Sequence, residues 1–295
     1  MTRLYPTLGA SAFTFAITVG LACSSAQAET TKERILSQKS VTIGIHNRVP
    51  WGYRDQAGNV LGLQPSIIRA ALAPLGVTDV KFVIGEFNTM IPGLLAGRFD
   101  MTAAGVAITP ARCKSVIFSE PDLTSGDGLL VAAGNPLKIH GFEDIKNNPD
   151  IRLAGARGSA NAAHAIQAGV PTSQIQQFQD VESMVSALVA KRVDAVIMSA
   201  ATIIATMSDP NVKGIEKAKP FVPLKDAEGN DVALVTGIAF RPDDIDLRDL
   251  YNEQLRKLKE SGELEKIILA TGFTEDNLPP NKTADRLCSE PEQPK

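Results

Sequence analysis

The sequence predicts an α/β protein made of two similar lobes. Three observations carry that expectation. Short apolar runs of strand length alternate with segments of helical periodicity, and this alternation restarts once, near residue 128. The two halves also share a boundary pattern. Leu95-Ala96-Gly97-Arg98-Phe99-Asp100 in the first half corresponds to Val189-Ala190-Lys191-Arg192-Val193-Asp194 in the second, and each leads into a strand. Such alternation is the signature of a mostly parallel sheet with helices on its faces.

In the first half, residues 41–45 (VTIGI) read as a buried strand. Pro65 suits the first turn of a helix that carries Ile67, Ile68, Ala71 and Leu72 on one face and stops at Gly76. Residues 80–84 form the next strand, 89–96 a short helix ended by Gly97, and 100–104 a third strand. In the second half, 128–133 is extended until Gly134-Asn135-Pro136 breaks it. Strands at 151–154, 175–178 and 194–198 then enclose helices at 160–168 and 181–190. Residues 232–240 read as one strand returning to the first lobe, and 247–269 as an amphipathic helix interrupted by Gly262. The lobes are therefore expected at 29–132 with 236–295, and at 133–235. Two crossings, near 130–135 and 232–238, would make a hinge. Ligands of open α/β sheets bind beyond the carboxyl ends of the strands, so a cleft is expected where the two sets of ends meet.

The first 28 residues form a separate unit. Arg3 gives a positive start, 10–23 is apolar and small, and Ala26-Gln27-Ala28 is a cleavage-site pattern, so the mature chain should begin near Glu29. This is the arrangement of a secretory signal peptide. Lipid anchoring at Cys23 is the lesser alternative, because Leu21 stands two residues before the cysteine rather than three. Cleavage leaves Cys113 and Cys288. An even pair in an oxidising compartment implies a disulfide, worth roughly 4–5 kcal/mol in the chain-entropy model for so long a loop. A net charge of -3 gives no field to gather nucleic acid or an anionic membrane. His46, His140 and His164 are scattered, so no metal site or cofactor is expected.

Several stretches, in order through the mature chain, resemble family 3 of the bacterial solute-binding proteins, the periplasmic receptors of polar amino-acid ABC transporters. They are VPW at 49–51, EFNTMIPGL at 86–94, LAGRFD at 95–100, ITPAR at 108–112, VDAV at 193–196 and LKESG at 258–262. MIPGL at 90–94, Arg112-Cys113, GNPL at 134–137, AGVP at 168–171, DPNV at 209–212 and Leu287-Cys288 are similar to the ectoine- and hydroxyectoine-binding branch. The resemblance implies a type II two-lobed fold and a monomer that partners inner-membrane permease subunits. It also implies a ligand site drawn from Arg48, Trp51, Phe87, Gly105, Ala107, Arg112, Arg157, Ser159, Ala160, Asn161 and Ser199.

The chemistry of these positions can be weighed one by one. A guanidinium at Arg112, just past the third strand, can hold a carboxylate bidentately. Trp51 and Phe87 lie in strand-end loops where the family sets aromatics against the ligand, and such faces stabilise a delocalised cation like ectoine's ring. Three positions depart from the ectoine pattern: Ala107 replaces an aromatic, Arg48 an acid, and Ala160 a threonine. Ser159 and the N–H groups of the following helix can still bind a carboxylate. Arg48 and Arg157 either face the cleft, which then favours an anionic or dicarboxylate ligand, or point to solvent. Ser199 stands where amino-acid receptors of the family carry an ammonium-binding aspartate, which argues against ordinary α-amino acids and suits a ligand with a masked, quaternary or absent amine; the resemblance makes ectoine or hydroxyectoine the leading expectation. An enzyme resembling cyclohexadienyl dehydratase would need a cleft acid, and Glu86 is expected to point away. A sensor presenting its ligand to a membrane receptor is the other alternative.

Overall fold

The computed structural model describes Met1, Thr2 and residues 29–289. The expected leader therefore lies, apart from its first two residues, outside the described residues. Two mixed sheets dominate. In the first, the strand Ser40–Ile45 pairs in parallel with Asp79–Ile84 on one side and Met101–Thr102 on the other. Ala239–Phe240 and Ile117–Phe118 extend the sheet antiparallel. In the second, Ala195–Ser199 is parallel to Leu153–Ala156, which is parallel to Ile175–Phe178. The long strand Leu123–Ala132 runs antiparallel beside Ala195–Ser199 and also carries Ile215–Lys217 and Ala233–Thr236.

The helices form where their boundaries were legible. Leu63–Leu72 continues through a short 3-10 turn to Gly76, whose φ of 74° ends it. Ala160–Gln167 and Val181–Val189 cover the second sheet, and Ile245–Glu260 is separated from Glu263–Ala270 by Gly262. The matched boundary motifs perform one task twice. Asp100 accepts the Thr42 N–H at 3.0 Å through its carboxylate and donates its own N–H to the Thr42 carbonyl at 2.7 Å. Asp194 does the same to Arg152, at 2.9 and 2.8 Å. In each lobe the aspartate also pairs with arginine: Arg34 for Asp100, and Arg152 for Asp194. Phe99, next to the first of these aspartates, packs where Gly44 and Gly93 leave no Cβ; one built on either would lie within 3 Å of its ring.

Two expectations change. Residues 232–240 form two strands, not one, because the run divides at Gly237-Ile238 and its halves join different sheets. The strand Leu123–Ala132 pairs along its whole length with the second sheet, whereas the expected division at residue 132 assigned it to the first lobe. Its opening residues, LTSGD, lack the apolar run that marks a buried strand. The chain therefore leaves the first sheet between Phe118 and Leu123, and returns to it after Thr236.

A buried polar network sits at this double crossing. Asp122 accepts the Thr236 hydroxyl at 2.6 Å and the Gln64 amide at 2.8 Å, and Gln64 in turn accepts the Gly105 N–H at 2.7 Å. Burial pushes the Asp122 carboxyl above its ordinary range, although both hydrogen bonds oppose this. Asp122→Ala would leave the Thr236 and Gln64 donors without partners. It should lower unfolding free energy by about 2–3 kcal/mol, read from denaturant midpoints at constant m-value.

The disulfide Cys113–Cys288 is present and closes a sequence separation of 175 residues. It ties the four-residue helix Pro110–Cys113 to Ala284–Ser289. Replacing both cysteines with serine should cost about 2–5 kcal/mol, measured the same way against the oxidised parent.

Candidate functional site

The cleft is built by short segments at the ends of strands. After Ser40–Ile45 the chain forms a tight loop in which Arg48 and Gly52 exchange backbone hydrogen bonds at 2.8 and 3.1 Å. The carbonyls of Pro50 and Trp51 then accept the first free N–H groups of the helix Leu63–Leu72, which anchors Trp51. Phe87 opens the turn after Asp79–Ile84. Arg112 lies on the helix Pro110–Cys113, whose first turn is capped by Thr109 and whose last residue is held by the disulfide.

These segments bring Arg48, Trp51, Phe87 and Arg112 together. The Arg48 guanidinium carbon lies 5.1 Å from the Trp51 ring centre and 5.6 Å from that of Phe87. The Arg112 guanidinium lies 5.6 Å from the same Phe87 ring. Both side chains are half-buried, and the Arg48 Nε is shut off from solvent. Desolvation brings each down to about 10, and Arg112's charge contributes further at Arg48. Both therefore stay charged at neutral pH. Among the described residues the guanidinium hydrogen bonds go only to carbonyls: Arg48 donates to Ala104 at 3.3 Å, and Arg112 to Ala107 at 2.8 Å and Gly158 at 3.0 Å. The Arg48 Nε–H has no partner among the described residues. Among the described residues neither arginine forms a salt bridge. Gly105, with φ of 64°, permits this packing: a Cβ there would lie 2.6 Å from the Trp51 ring and 2.7 Å from an Arg48 nitrogen.

The second lobe supplies the facing wall. Trp51 donates its indole N–H across the cleft to the hydroxyls of Ser199 at 3.3 Å and Thr202 at 3.2 Å. Ser199 thus holds an indole rather than standing free for a ligand. Ser159 is buried and caps the helix Ala160–Gln167, while Ala160, next to it, is half-buried. Asn161 donates to Asp127 at 2.6 Å, and Asp127 also contacts His164 Nδ1 at 2.8 Å. Ala107 is buried and contributes its carbonyl. Arg157 is exposed and lines neither of the two cavities described below, whereas Arg48 lines the smaller one.

Two cavities among the described residues are lined by both lobes. One, of about 10 Å³, is lined by His46, Arg48, Phe87, Asn161, Asp180 and Met184 among others; it has room for a single water. The other, of about 130 Å³, lies beside Phe87, Asn88, Arg112 and Gly158. A solute the size of an amino acid enters the first only if the lobes part. His46 and Asp180 are cleft residues that sequence reading missed. Each stands at or just beyond the carboxyl end of a strand, which was the available signal.

Residues 41–270 match the model of the bacterial extracellular solute-binding proteins, family 3. The chain belongs to this family. A similar protein is the probable amino-acid ABC transporter periplasmic-binding protein y4tE of Sinorhizobium fredii, 34% identical over 88% of this chain and 86% of the relative. Among solved structures, EhuB in complex with hydroxyectoine shares 32% identity at a TM-score of 0.80, covering 89% of this chain and 99% of that one. The ancestral amino acid-binding protein AncCDT-1, a precursor of cyclohexadienyl dehydratase, shares 26% identity at a TM-score of 0.72, covering 82% and 100%. This solute-binding protein has the two-lobed type II fold of those neighbours. The cross-cleft contacts of Trp51 and Arg112 describe its lobes in the closed arrangement. Replacing Ser199 with Ala and Thr202 with Val together would strand a buried indole N–H, at a cost of about 1–3 kcal/mol. The double variant should show a lower denaturation midpoint and a larger radius of gyration in solution scattering.

Proposed function

We propose that this solute-binding protein is the periplasmic receptor of an amino-acid-type ABC importer, and that its solute is a small acidic molecule: an acidic amino acid or a related dicarboxylate. The observation that carries the ligand is the Arg48 guanidinium set against both Trp51 and Phe87. The aromatic faces that would stabilise a cationic ring already stabilise the protein's own cation, and a second cation at that place meets like charge. Arg48 and Arg112 together present two guanidinium groups at the cleft that form no salt bridge among the described residues. Bidentate binding of a ligand's carboxylates supplies the missing charge. The periplasmic setting is supported by the N-terminal leader pattern and by the periplasmic-binding relative. Permease subunits in the inner membrane are the partners this role requires.

The similarity to the hydroxyectoine complex favours a second reading, with ectoine as ligand. Calorimetry and thermal shift on the mature protein separate the two, using L-glutamate, L-aspartate, glutarate, succinate, ectoine and hydroxyectoine. The acids should stabilise the protein, by about 4 kcal/mol at a thousand times the dissociation constant, and the ectoines should not. Arg48→Met should abolish acid binding while leaving the fold intact. Arg48→Glu, which restores the acid of the ectoine branch, should lose the acids and gain ectoine. An ectoine shift in the parent with none from the acids overturns the acidic reading.

A further inference from the structure

The residues that match the family end at 270, and from there the chain runs back across the first lobe. Residues 271–289 touch the supports of the cleft at four places. Phe273 is buried and lies edge-on to the Trp51 ring, with centroids 5.3 Å apart. Asn277 donates its side-chain amide to the Thr124 carbonyl at 2.9 Å, near the start of the strand that enters the second sheet. Ala284 donates its backbone N–H to the Glu120 carboxylate at 3.2 Å. Cys288 is bonded to Cys113, the residue after Arg112.

The two helices joined by that bond are anchored very differently. None of residues 109–115 is buried, although Ile108 and Val116 on either side are. The helix Pro110–Cys113 is a single turn, too short to persist on its own propensity. Its local supports are Pro110 at its start and the Thr109 hydroxyl, which accepts the Arg112 N–H at 3.4 Å. The guanidinium's bond to Gly158 exists only while the lobes are together, so in the parted lobes the Ala107 carbonyl is its remaining acceptor among those described. The partner helix Ala284–Ser289 is held firmly. Ala284 and Leu287 are buried in one apolar cluster with Phe87, Met90, Val106 and Ile108. The disulfide therefore ties an unburied turn that carries a cleft arginine to a helix packed with the aromatic wall of the same cleft. Neither cysteine lines either cavity. A side chain held in its binding position before the ligand arrives loses less freedom on binding, and affinity rises accordingly.

We infer that residues 271–289 form a strap that positions Arg112 for a ligand's carboxylate, with the Cys113–Cys288 bond as its fastening, so that opening this bond weakens binding while both lobes stay folded. The inference rests on reading Arg112 as part of the carboxylate grip, and it makes Cys113 and Cys288 positioning residues that never touch the ligand. A dithiol reductant opens the fastening. It supplies two electrons and two protons, the Sγ–Sγ bond breaks, each sulfur becomes a thiol, and the reductant closes to its own disulfide. Reoxidation reverses the step.

Calorimetry with L-glutamate tests the strap on the oxidised mature protein and on the Cys113→Ser, Cys288→Ser double variant, well below both melting temperatures. A merely structural bond lowers the melting temperature and leaves the affinity of the folded protein where it was. A positioning bond lowers the affinity too, by about tenfold or more. The parent reduced with dithiothreitol should show the same loss and recover on reoxidation. In an Arg112→Lys background, where the planar fork is gone, the cysteine replacement should change affinity less than threefold. Should the double variant not fold, Leu287→Ala keeps the disulfide, loosens its anchor and should weaken L-glutamate at least threefold. Equal affinity of parent and double variant, unchanged affinity in Leu287→Ala, or a full tenfold loss in the Arg112→Lys background overturns the strap and leaves the carboxylate grip standing. If L-glutamate does not bind and ectoine does, the acidic reading has failed, and the same comparison on ectoine's carboxylate decides the strap. Binding of neither overturns both.

Discussion

Two neighbouring guanidinium groups, half-buried and without a salt bridge among the described residues, set the terms for the rest of this cleft. A lone buried charge costs several kcal/mol unless dipoles or a counter-charge compensate it. Here the compensation is partial and built from several directions. Carbonyls of Ala104, Ala107 and Gly158 accept from the two arginines, and the π-faces of Trp51 and Phe87 lie against them. The absence of a Cβ at Gly105 lets Arg48 reach its place, and the disulfide beside Arg112 holds the short helix that aims it. One of the accepting carbonyls, Gly158, belongs to the second lobe. Closing the lobes therefore also improves the solvation of a charge in the first.

Hinge and cleft form one hydrogen-bonded unit. Asp122, just before the strand Leu123–Ala132, and Thr236, at the end of Ala233–Thr236, sit where the chain passes between the sheets, and Gln64 links them to Gly105, against which Trp51 and Arg48 pack. Movement at the crossing strands therefore reaches the binding residues through side chains that are already paired, with few rotatable steps between. The duplicated Asp100 and Asp194 clasps play the opposite part. Each pins a central strand inside its own lobe, so that the lobes move as bodies.

Much of the fold was legible because its boundaries are local. Pro65 starts a helix and Gly76 and Gly262 end helices for reasons that involve only their own backbone. What escaped depends on distant partners. Leu123–Ala132 opens with polar residues and becomes a strand because Ala233–Thr236 and Ala195–Ser199 lie beside it. The division at Gly237 is hard to see in VALVTGIAF, a run interrupted only by Thr236 and Gly237 themselves. In the site, Trp51, Phe87 and Arg112 could be picked out by family resemblance, and the structure groups them. The direction of Arg48 could not be read, since an arginine one loop from a strand end can face either way until the opposite wall exists. Ser199 was singled out for a missing charge; the indole that occupies its hydroxyl comes from 148 residues earlier in the chain. His46 and Asp180 were passed over because one histidine and one helix cap are ordinary taken singly.

Trp51 is the single tryptophan in the sequence. It is almost fully buried, its indole hydrogen-bonded across the gap between lobes and its ring edge-on to Phe273 at 5.3 Å. Separating the lobes must break the first of these contacts and admit water to the ring. The molecule thus carries its one tryptophan on its moving joint, and emission excited selectively from that indole gauges lobe separation without any attached label.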